Sequence, residues 1–166
     1  MKSVRSWKQN LKQMKLESIK KQSPEFFEQS GGFRMSIIPY KDNTANGLTK
    51  CIIDFLNFQG WYANRINVQG QARKERIKLA HGNFFDKVTY TPSTTNKGTA
   101  DISAIVKGQH WSIEVKVHKD RMSLHQLKEM ERVTAAGGKY FIARSMDEFL
   151  EFYNKQITTV SNLKTA

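Results

Sequence analysis

The sequence predicts an α/β domain with a mixed sheet, preceded by a basic helical extension. Polar and apolar residues alternate on both sides of Gly108, which indicates a β-hairpin over residues 101–117. Apolar residues recur at helical spacing before Gly60 and again from Leu124 to Ala135, so helices are expected on both sides of the hairpin. With 166 residues, of which 39% are hydrophobic, the chain can build one sizeable core.

The extension is predicted over residues 1–41. Residues 1–22 hold seven Lys or Arg against one acid, Glu17, and carry apolar residues near helical spacing. They are expected to form either a basic amphipathic helix that contacts DNA or a frayed, disordered tail. Ser23-Pro24-Glu25 then indicates a short helix that ends near Gly31-Gly32.

The main domain is predicted over residues 42–157. Its first helix contains Leu48 and Leu56, and the next strand runs from Trp61 to Val68. Residues 69–100 are expected to form a long basic loop, polar from Thr91 to Lys97, which either guides DNA or is merely solvated. The cations expected to contact DNA are Arg65, Arg73, Lys74, Arg76, Lys78 and Lys97.

Three further elements are predicted after the hairpin. They are a helix over residues 124–135, a strand over 139–144 and a last helix from Ser145 through Tyr153, and residues after Ile157, including the tail 158–166, are expected to be disordered. If the strand 139–144 runs parallel to the second hairpin strand, their connection should be a right-handed crossover. The sheet would then be mixed.

The hairpin is expected to gather charged residues on one face. With Gly108-Gln109 as its loop, Asp101 would face Lys116, and Ser103 would face Glu114. The opposite face is apolar, and a one-residue slip would bury the charges instead. Its residues are Ile102, Ala104, Val106, Trp111, Ile113 and Val115.

The charged face suggests a metal-dependent catalytic site. Two nearby carboxylates repel each other unless a cation lies between them, and oxygen ligands suit Mg²⁺ or Mn²⁺. In this hypothesis Asp101 and Glu114 are ligands and the backbone carbonyl of Val115 is a third. Lys116 would orient the attacking water or a phosphate. The alternative is a solvated strand face, on which Lys116 forms surface ion pairs of little energetic value.

The charge balance favours a polyanionic partner. Lys and Arg number 27 and Asp and Glu 15, which gives a net charge of +12 and an isoelectric point near 9.9. Nucleic acid is the expected partner, since clustered cations release counterions when they meet a phosphate backbone. An anionic membrane surface is the rival, although no apolar run is long enough to predict a membrane span or a signal peptide. The single Cys51 fits a reducing, cytoplasmic environment.

The order of the motifs resembles that of the PD-(D/E)xK nucleases. Asp101 ends a G-x-x-D pattern and is followed thirteen residues later by Glu114-Val115-Lys116. Ser123-x-x-Gln126 opens the next helix, and Gly137-Gly138 leads into an aromatic and aliphatic strand. Over about residues 45–150 this arrangement is similar to the VRR-NUC branch of that superfamily, whose members are often small stand-alone phage proteins.

The resemblance implies a restriction-endonuclease-like core with the element order α-β-β-β-α-β. It also implies Mg²⁺ or Mn²⁺ as the cofactor, with Asp101, Glu114, Lys116 and Gln126 in the active site. Gln126 is in addition expected to form a capping box with Ser123. The resemblance suggests a bacterial or phage-infected host cell, and related resolvases act as dimers on four-way junctions, so a homodimer is expected.

Two positions depart from the family pattern. Ala100 stands where proline is common. Many relatives carry a glutamate on the first core helix, whereas this chain has none there, and Asn46 is the candidate for that position. An amide is a weaker ligand than a carboxylate, so a two-carboxylate site of modest metal affinity is implied.

Three functions remain open from the sequence. The leading hypothesis is a metal-dependent endonuclease that hydrolyses DNA phosphodiester bonds in replication, recombination or repair, with junctions and flaps as candidate substrates. The missing helix glutamate favours an alternative, a catalytically inactive DNA-binding module with a nuclease fold. The third hypothesis is a basic membrane-surface protein that binds through residues 1–22.

Overall fold

Helices and strands alternate along the described part of the chain, residues 6–66, 71–79, 81–91 and 96–162, in a computed structural model. A short 3₁₀ helix, Gly32–Arg34, follows the second α-helix. The remaining elements, in chain order, are α1 (Trp7–Gln22), α2 (Pro24–Gln29), α3 (Ala45–Phe58), β1 (Tyr62–Arg65), β2 (Gln71–Lys78), β3 (Phe84–Thr91), β4 (Ile102–Val106), β5 (Gln109–Val115), α4 (Leu124–Ala135), β6 (Lys139–Ala143) and α5 (Met146–Asn162).

The central sheet has four strands in the order β1-β4-β5-β6. The pairs β1–β4 and β4–β5 are antiparallel, whereas β5 and β6 are parallel. A parallel pair needs a crossover connection, and α4 provides it. The prediction of an α/β fold with a mixed sheet is therefore confirmed.

The predicted register of the β4–β5 hairpin is wrong by two positions. Its loop is Lys107-Gly108, so that Val106 pairs with Gln109 and Ser103 pairs with Ser112 rather than Glu114. Lys107 and Gly108 have φ angles of 50° and 78°, and a two-residue type I′ turn requires positive φ at both central positions. A shift of two leaves every side chain on its predicted face.

The apolar face of the hairpin forms one side of the core. All six of its predicted residues are buried, and they belong to one cluster with side chains of α3 and α5. The amphipathic pattern of α3 explains this packing, because its apolar positions recur on the side that meets the sheet. The fully buried residues of the two helices include Leu48, Cys51, Ile52, Leu56, Met146 and Phe149.

Residues 7–22 form a helix rather than the disordered tail that was the second alternative for this segment, and the DNA contact of the first alternative stays a prediction. Leu11 and Leu16 of α1 are buried, and Leu11 belongs to the main core cluster. Isolated helices of this length are marginal in water, so burial of these leucines contributes to holding α1 in place. Residues 1–5 of the same segment lie outside the described residues.

The prediction of a long loop after β1 is wrong for residues 71–78 and 84–91. Here β2 and β3 form a separate two-stranded antiparallel sheet, in which Gln71 pairs with Thr91 and Lys78 with Phe84. All β3 side chains are exposed, as are the described β2 side chains except the half-buried Ile77. The sequence of β3 is rich in Phe, Val, Thr and Tyr, a strand signal that the loop prediction overlooked, whereas β2 carries no apolar alternation. We call residues 71–91 the β2–β3 arm.

The ends of two predicted elements also change. β1 ends at Arg65, and the predicted end at Val68 lies outside the described residues, as does most of the polar loop predicted over 91–97. α5 continues to Asn162, so the disorder expected after Ile157 is wrong up to that residue. No Gly or Pro interrupts α5, and the Thr158 hydroxyl donates to the Asn154 carbonyl at 2.9 Å.

Within the described ranges, no helix has both the length and the apolar character needed to cross a bilayer.

Candidate functional site

Asp101 and Glu114 face each other at the open end of the β4–β5 hairpin. The last paired residues are Ile102 and Ile113, and the next step of the same register joins Asp101 with Glu114. The sequence had predicted Lys116 as the residue opposite Asp101, which is wrong because of the shifted turn. One further step of the corrected register brings Asp101 opposite Glu114 on the face away from the core, and the charge of Asp101 acts on Glu114.

Main-chain hydrogen bonds fix the position of Asp101. Its carboxylate oxygen Oδ2 accepts a hydrogen bond of 2.9 Å from the Val115 amide. Its backbone carbonyl accepts one of 2.8 Å from the Ile66 amide, just after β1. The backbone amide of Val115, the residue whose carbonyl is the predicted third metal ligand, is therefore bonded directly to Asp101.

Glu114 is buried between the sheet and α4, with only 2% of its surface exposed. Its Oε1 accepts hydrogen bonds from Lys116 Nζ at 3.1 Å and from the Gln126 side-chain amide. Its Oε2 is buried and has no hydrogen-bond partner among the described residues. Leaving a buried carboxylate oxygen unpaired is costly, so a proton or a cation at Oε2 would stabilise this arrangement.

The surroundings of Glu114 bring its titration close to neutral pH. Burial, and after it the negative charge of Asp101, raises the pKa of Glu114 from 4.5 to about 7, against the opposing effect of Lys116. A carboxyl group of this kind readily exchanges a proton for another cation near pH 7. Perturbed carboxyl groups are a common property of active sites, although ion-pair networks also produce them.

Lys116 joins Glu114 to Asp120. It is 7% exposed, and its Nζ lies 3.1 Å from Glu114 Oε1 and 3.2 Å from Asp120 Oδ2. Burial lowers the pKa of Lys116, but the hydrogen bonds to Glu114 and Asp120 outweigh this effect and the pKa is raised, so the ammonium stays charged. The alternative prediction of a solvated strand face is wrong for Glu114 and Lys116, because both are buried.

The side chain of Gln126 makes two contacts at the start of α4. With Ser123 it forms the predicted capping box. Gln126 Oε1 accepts a hydrogen bond of 2.9 Å from the backbone amide of Ser123, and Ser123 Oγ accepts one of 3.3 Å from the backbone amide of Gln126. Its Nε2 donates to Glu114 Oε1. The same side chain therefore caps the helix and holds the buried carboxylate.

Gly98 allows the segment before β4 to approach α4 closely. Its φ is 90°, and a Cβ at this position would lie 2.8 Å from the Gln126 nitrogen and closer still to the main chain of His125. Only glycine tolerates both the positive φ and the short separation. The exposed Lys97, one of the predicted DNA-binding residues, is thereby placed beside the start of α4.

Arg65 and Asn46 form the edge of the site on the β1 side. The Arg65 guanidinium donates to Asn46 Oδ1 at 2.8 Å, and Arg65 pairs with Ile102, next to Asp101. Asn46, the candidate for the position of the glutamate in the resembled family, is thus bound by an arginine. The other predicted DNA-binding cations are exposed on β2 of the arm, and they are Arg73, Lys74, Arg76 and Lys78.

Two residues of this region escaped prediction. Tyr140 on β6 pairs with Ser112 on the face that carries Glu114, and its buried hydroxyl has no partner among the described residues. Burial raises the pKa of Tyr140, as do the charges of Glu114 and Asp101. The only sequence signal for Asp120 was its spacing of four from Lys116, and Tyr140 could be placed only with the register of β6.

The oxygen atoms at this site fit a hard divalent cation. Mg²⁺ is usually bound by one or two carboxylates and keeps several waters, and here two carboxylates face each other with one buried oxygen unpaired. In the described ranges, no group of three or more His, Cys, Asp or Glu side chains converges as a metal site. In the predicted ligand set, the Val115 carbonyl and water would complete the coordination.

No model of a known protein family and no curated protein matches this chain.

Proposed function

We propose that this protein is a divalent-metal-dependent endonuclease that hydrolyses DNA phosphodiester bonds. The observation that carries the proposal is the convergence of Asp101, a buried Glu114 and a buried Lys116 at the end of one hairpin. The order α3-β1-β4-β5-α4-β6 supports a restriction-endonuclease-like core, since it repeats the α-β-β-β-α-β order, with the arm inserted after β1. The net charge of +12 supports a nucleic-acid substrate.

Each residue of the site has a distinct part in this proposal. Asp101 and Glu114 would hold Mg²⁺ or Mn²⁺, which when bound lowers the pKa of a water ligand and neutralises charge on the phosphate. Gln126 and Lys116 bind the same oxygen of Glu114, which leaves Oε2 for the cation. The Lys116 ammonium, held by Glu114 and Asp120, would orient the attacking water and stabilise the charge that develops on the phosphate.

A cleavage assay tests this function. The wild-type protein is incubated with junction, flapped, nicked and continuous duplex DNA, with Mg²⁺, Mn²⁺ or EDTA. We expect cleavage only with metal, and we expect Asp101→Asn to lower it by at least about a hundredfold. Asp54→Asn is the matched control, because Asp54 lies on α3 and its carboxylate bonds Lys50 of that helix and Tyr40, which precedes it. Equal cleavage by Asp101→Asn and wild type would contradict the proposal.

The contribution of Lys116 is tested in the same assay. Lys116→Met removes the ammonium that contacts Glu114, and we expect cleavage to fall by at least about a hundredfold. Lys119→Met removes an exposed cation three residues along the chain and should leave cleavage nearly unchanged. Similar losses in the two variants would mean that Lys116 acts only through the overall charge.

The bond between Arg65 and Asn46 favours a second candidate, a DNA-binding module without catalytic activity. The side-chain oxygen that would stand for the family glutamate is already bound by a guanidinium, so a third side-chain ligand is lacking there. This candidate predicts DNA binding that EDTA does not change, and no cleavage of any of the four substrates with either metal.

A further inference from the structure

One face of the β2–β3 arm combines cations with large apolar side chains. The register places Lys78 beside Phe84 and Lys74 beside Val88, and the Arg76 guanidinium lies 4.9 Å from the centre of the Phe84 ring. Asp86 is the acid on this face, and it pairs with Lys74 at 2.8 Å. We define the aromatic–basic face as Lys74, Arg76, Lys78, Phe84, Val88 and Tyr90.

The apolar side chains of this face are solvent-exposed. The exposed fractions of Phe84, Val88 and Tyr90 are 54%, 62% and 65%. An isolated two-stranded hairpin is at best marginally stable in water, and a row of exposed aromatic side chains is typical of an interaction surface. The arm therefore has the composition of an element that is completed by a partner.

The arm leaves the domain beside the candidate site and returns to it there. Ile66, which precedes it, bonds the Asp101 carbonyl, and Gly98, which follows it, packs on the start of α4. From Ile66 to Gln71 an extended chain covers at most about 18 Å. The eight residues of β2 span about 27 Å, which is long enough to contact several nucleotides of one strand. A DNA strand at Asp101 is thus within reach of the arm.

The charge and the rings of this face together identify its partner. Three cations stand against one acid that is already paired, so a polyanion is attracted, whereas a second copy of this +12 chain is repelled. A paired duplex offers the edges of its bases in the grooves, but an unpaired base offers a flat surface on which aromatic rings stack. The rings of Phe84 and Tyr90 therefore favour a strand that is not fully paired.

We infer that the aromatic–basic face binds unpaired nucleotides of the DNA substrate. Phe84 and Tyr90 stack on bases, while Lys74, Arg76 and Lys78 contact phosphates. The inference rests on the proposed function for the identity of the substrate, and it specifies the substrate class as DNA in which a single-stranded segment adjoins a duplex. Flapped or branched DNA is then preferred to continuous duplex.

Binding of the full-length protein in EDTA tests the inference without requiring catalysis. Fluorescence anisotropy compares flapped DNA with a continuous duplex, and 2-aminopurine in the flap reports base stacking. We expect the double variant Phe84→Ala, Tyr90→Ala to bind flapped DNA at least about tenfold more weakly, to bind duplex nearly as wild type does, and to lose the 2-aminopurine signal. Phe84→Tyr with Tyr90→Phe keeps both rings and should retain the signal.

Two further variants separate the rings from the charges. Tyr62→Ala removes an exposed tyrosine of β1, outside the arm, and should leave both affinities unchanged. Arg76→Gln with Lys78→Gln should weaken binding to both DNAs alike. The slope of the logarithm of the binding constant against the logarithm of the salt concentration should fall by about one for each phosphate that the variant no longer neutralises.

Several outcomes would overturn the inference. They are an equal loss of flapped and duplex binding on removal of the two rings, no loss at all, binding to anionic vesicles instead of DNA, or a dimer that the ring variant dissociates. Failure of the proposed function would look different. A protein that stacks flap bases but never cleaves with metal would contradict the proposed nuclease activity and support the role of the arm. Metal-dependent cleavage that the ring variant does not affect would support the nuclease activity and contradict the role of the arm.

Discussion

Asp101 faces Glu114 across the open end of the β4–β5 hairpin, and the two carboxyl groups lie in different surroundings. Asp101 is half-buried and accepts a main-chain hydrogen bond, whereas Glu114 is buried with one oxygen unpaired among the described residues. Burial and the charge of Asp101 raise the pKa of Glu114, and a carboxyl group perturbed in this way is typical of sites that bind cations or transfer protons. The pair therefore gives the hairpin end a chemistry that neither residue would have alone.

Replacing Glu114 by glutamine should change how stability depends on pH. Because the pKa of Glu114 is raised to about 7 in the folded protein, the folded state binds this proton more tightly than the unfolded chain. The contribution of Glu114 to the free energy of unfolding is thus most favourable below pH 4.5. It is lost as the pH rises through 7, which lowers the free energy of unfolding by about 3 kcal/mol. The free energy of unfolding of Glu114→Gln should therefore rise relative to wild type between about pH 4.5 and 8.

Urea denaturation at several pH values, in EDTA, measures this difference. Thr49→Val serves as the control, because it removes a hydroxyl on α3 that does not titrate, and its difference from wild type should stay nearly constant over the same range. A difference between Glu114→Gln and wild type that is equally constant would show that Glu114 does not titrate in this window.

The two contacts of Gln126 can be separated by a pair of variants. Ser123→Ala removes the cap at the start of α4 and should cost about 1 kcal/mol of unfolding free energy. Gln126→Ala removes its share of the cap and also the hydrogen bond to Glu114, so it should cost a further 1–3 kcal/mol, approximately. Urea denaturation at about pH 8 measures both. Equal costs would mean that the contact with Glu114 has no energetic weight.

Substitution of Gly98 should affect the site through α4. Gly98→Ala combines positive φ with a Cβ that overlaps the main chain of His125, so we expect an overpacking cost of about 1–3 kcal/mol beyond the strain of the φ angle, together with weaker DNA cleavage. Gly137→Ala is the matched control, because Gly137 has a φ of 83° and open space around its Cα. Thermal unfolding of the two variants provides the comparison, and equal losses would rule out a role for the close approach.

The hairpin shows what the sequence could predict about this site. Alternation alone placed Asp101, Glu114 and Lys116 on one face, and this was sufficient because side-chain direction depends only on parity. The register was missed by two positions, since alternation does not distinguish which residues form the turn. Lys107, rather than Gln109, joins Gly108 in the turn with positive φ.

Other features of the site depend on contacts between distant elements. No local sequence pattern predicts the burial of Glu114 beneath α4. The same is true of the Tyr140 hydroxyl, which is buried with no partner among the described residues. Both features follow from how α4 and β6 pack on β5. The arm was missed for the opposite reason. The local signal was present in β3, which carries Phe84, Val88 and Tyr90 on one face, but the basic composition of β2 favoured the interpretation as a loop.

We propose that the carboxylates of Asp101 and Glu114 share one divalent cation. Titration with Mn²⁺ at about pH 8, monitored by electron paramagnetic resonance, tests this most directly. We expect wild type and Asp54→Asn to bind one ion with the same affinity, and we expect Asp101→Asn and Glu114→Gln each to weaken binding at least about tenfold. Unchanged Mn²⁺ binding in both site variants would contradict the claim.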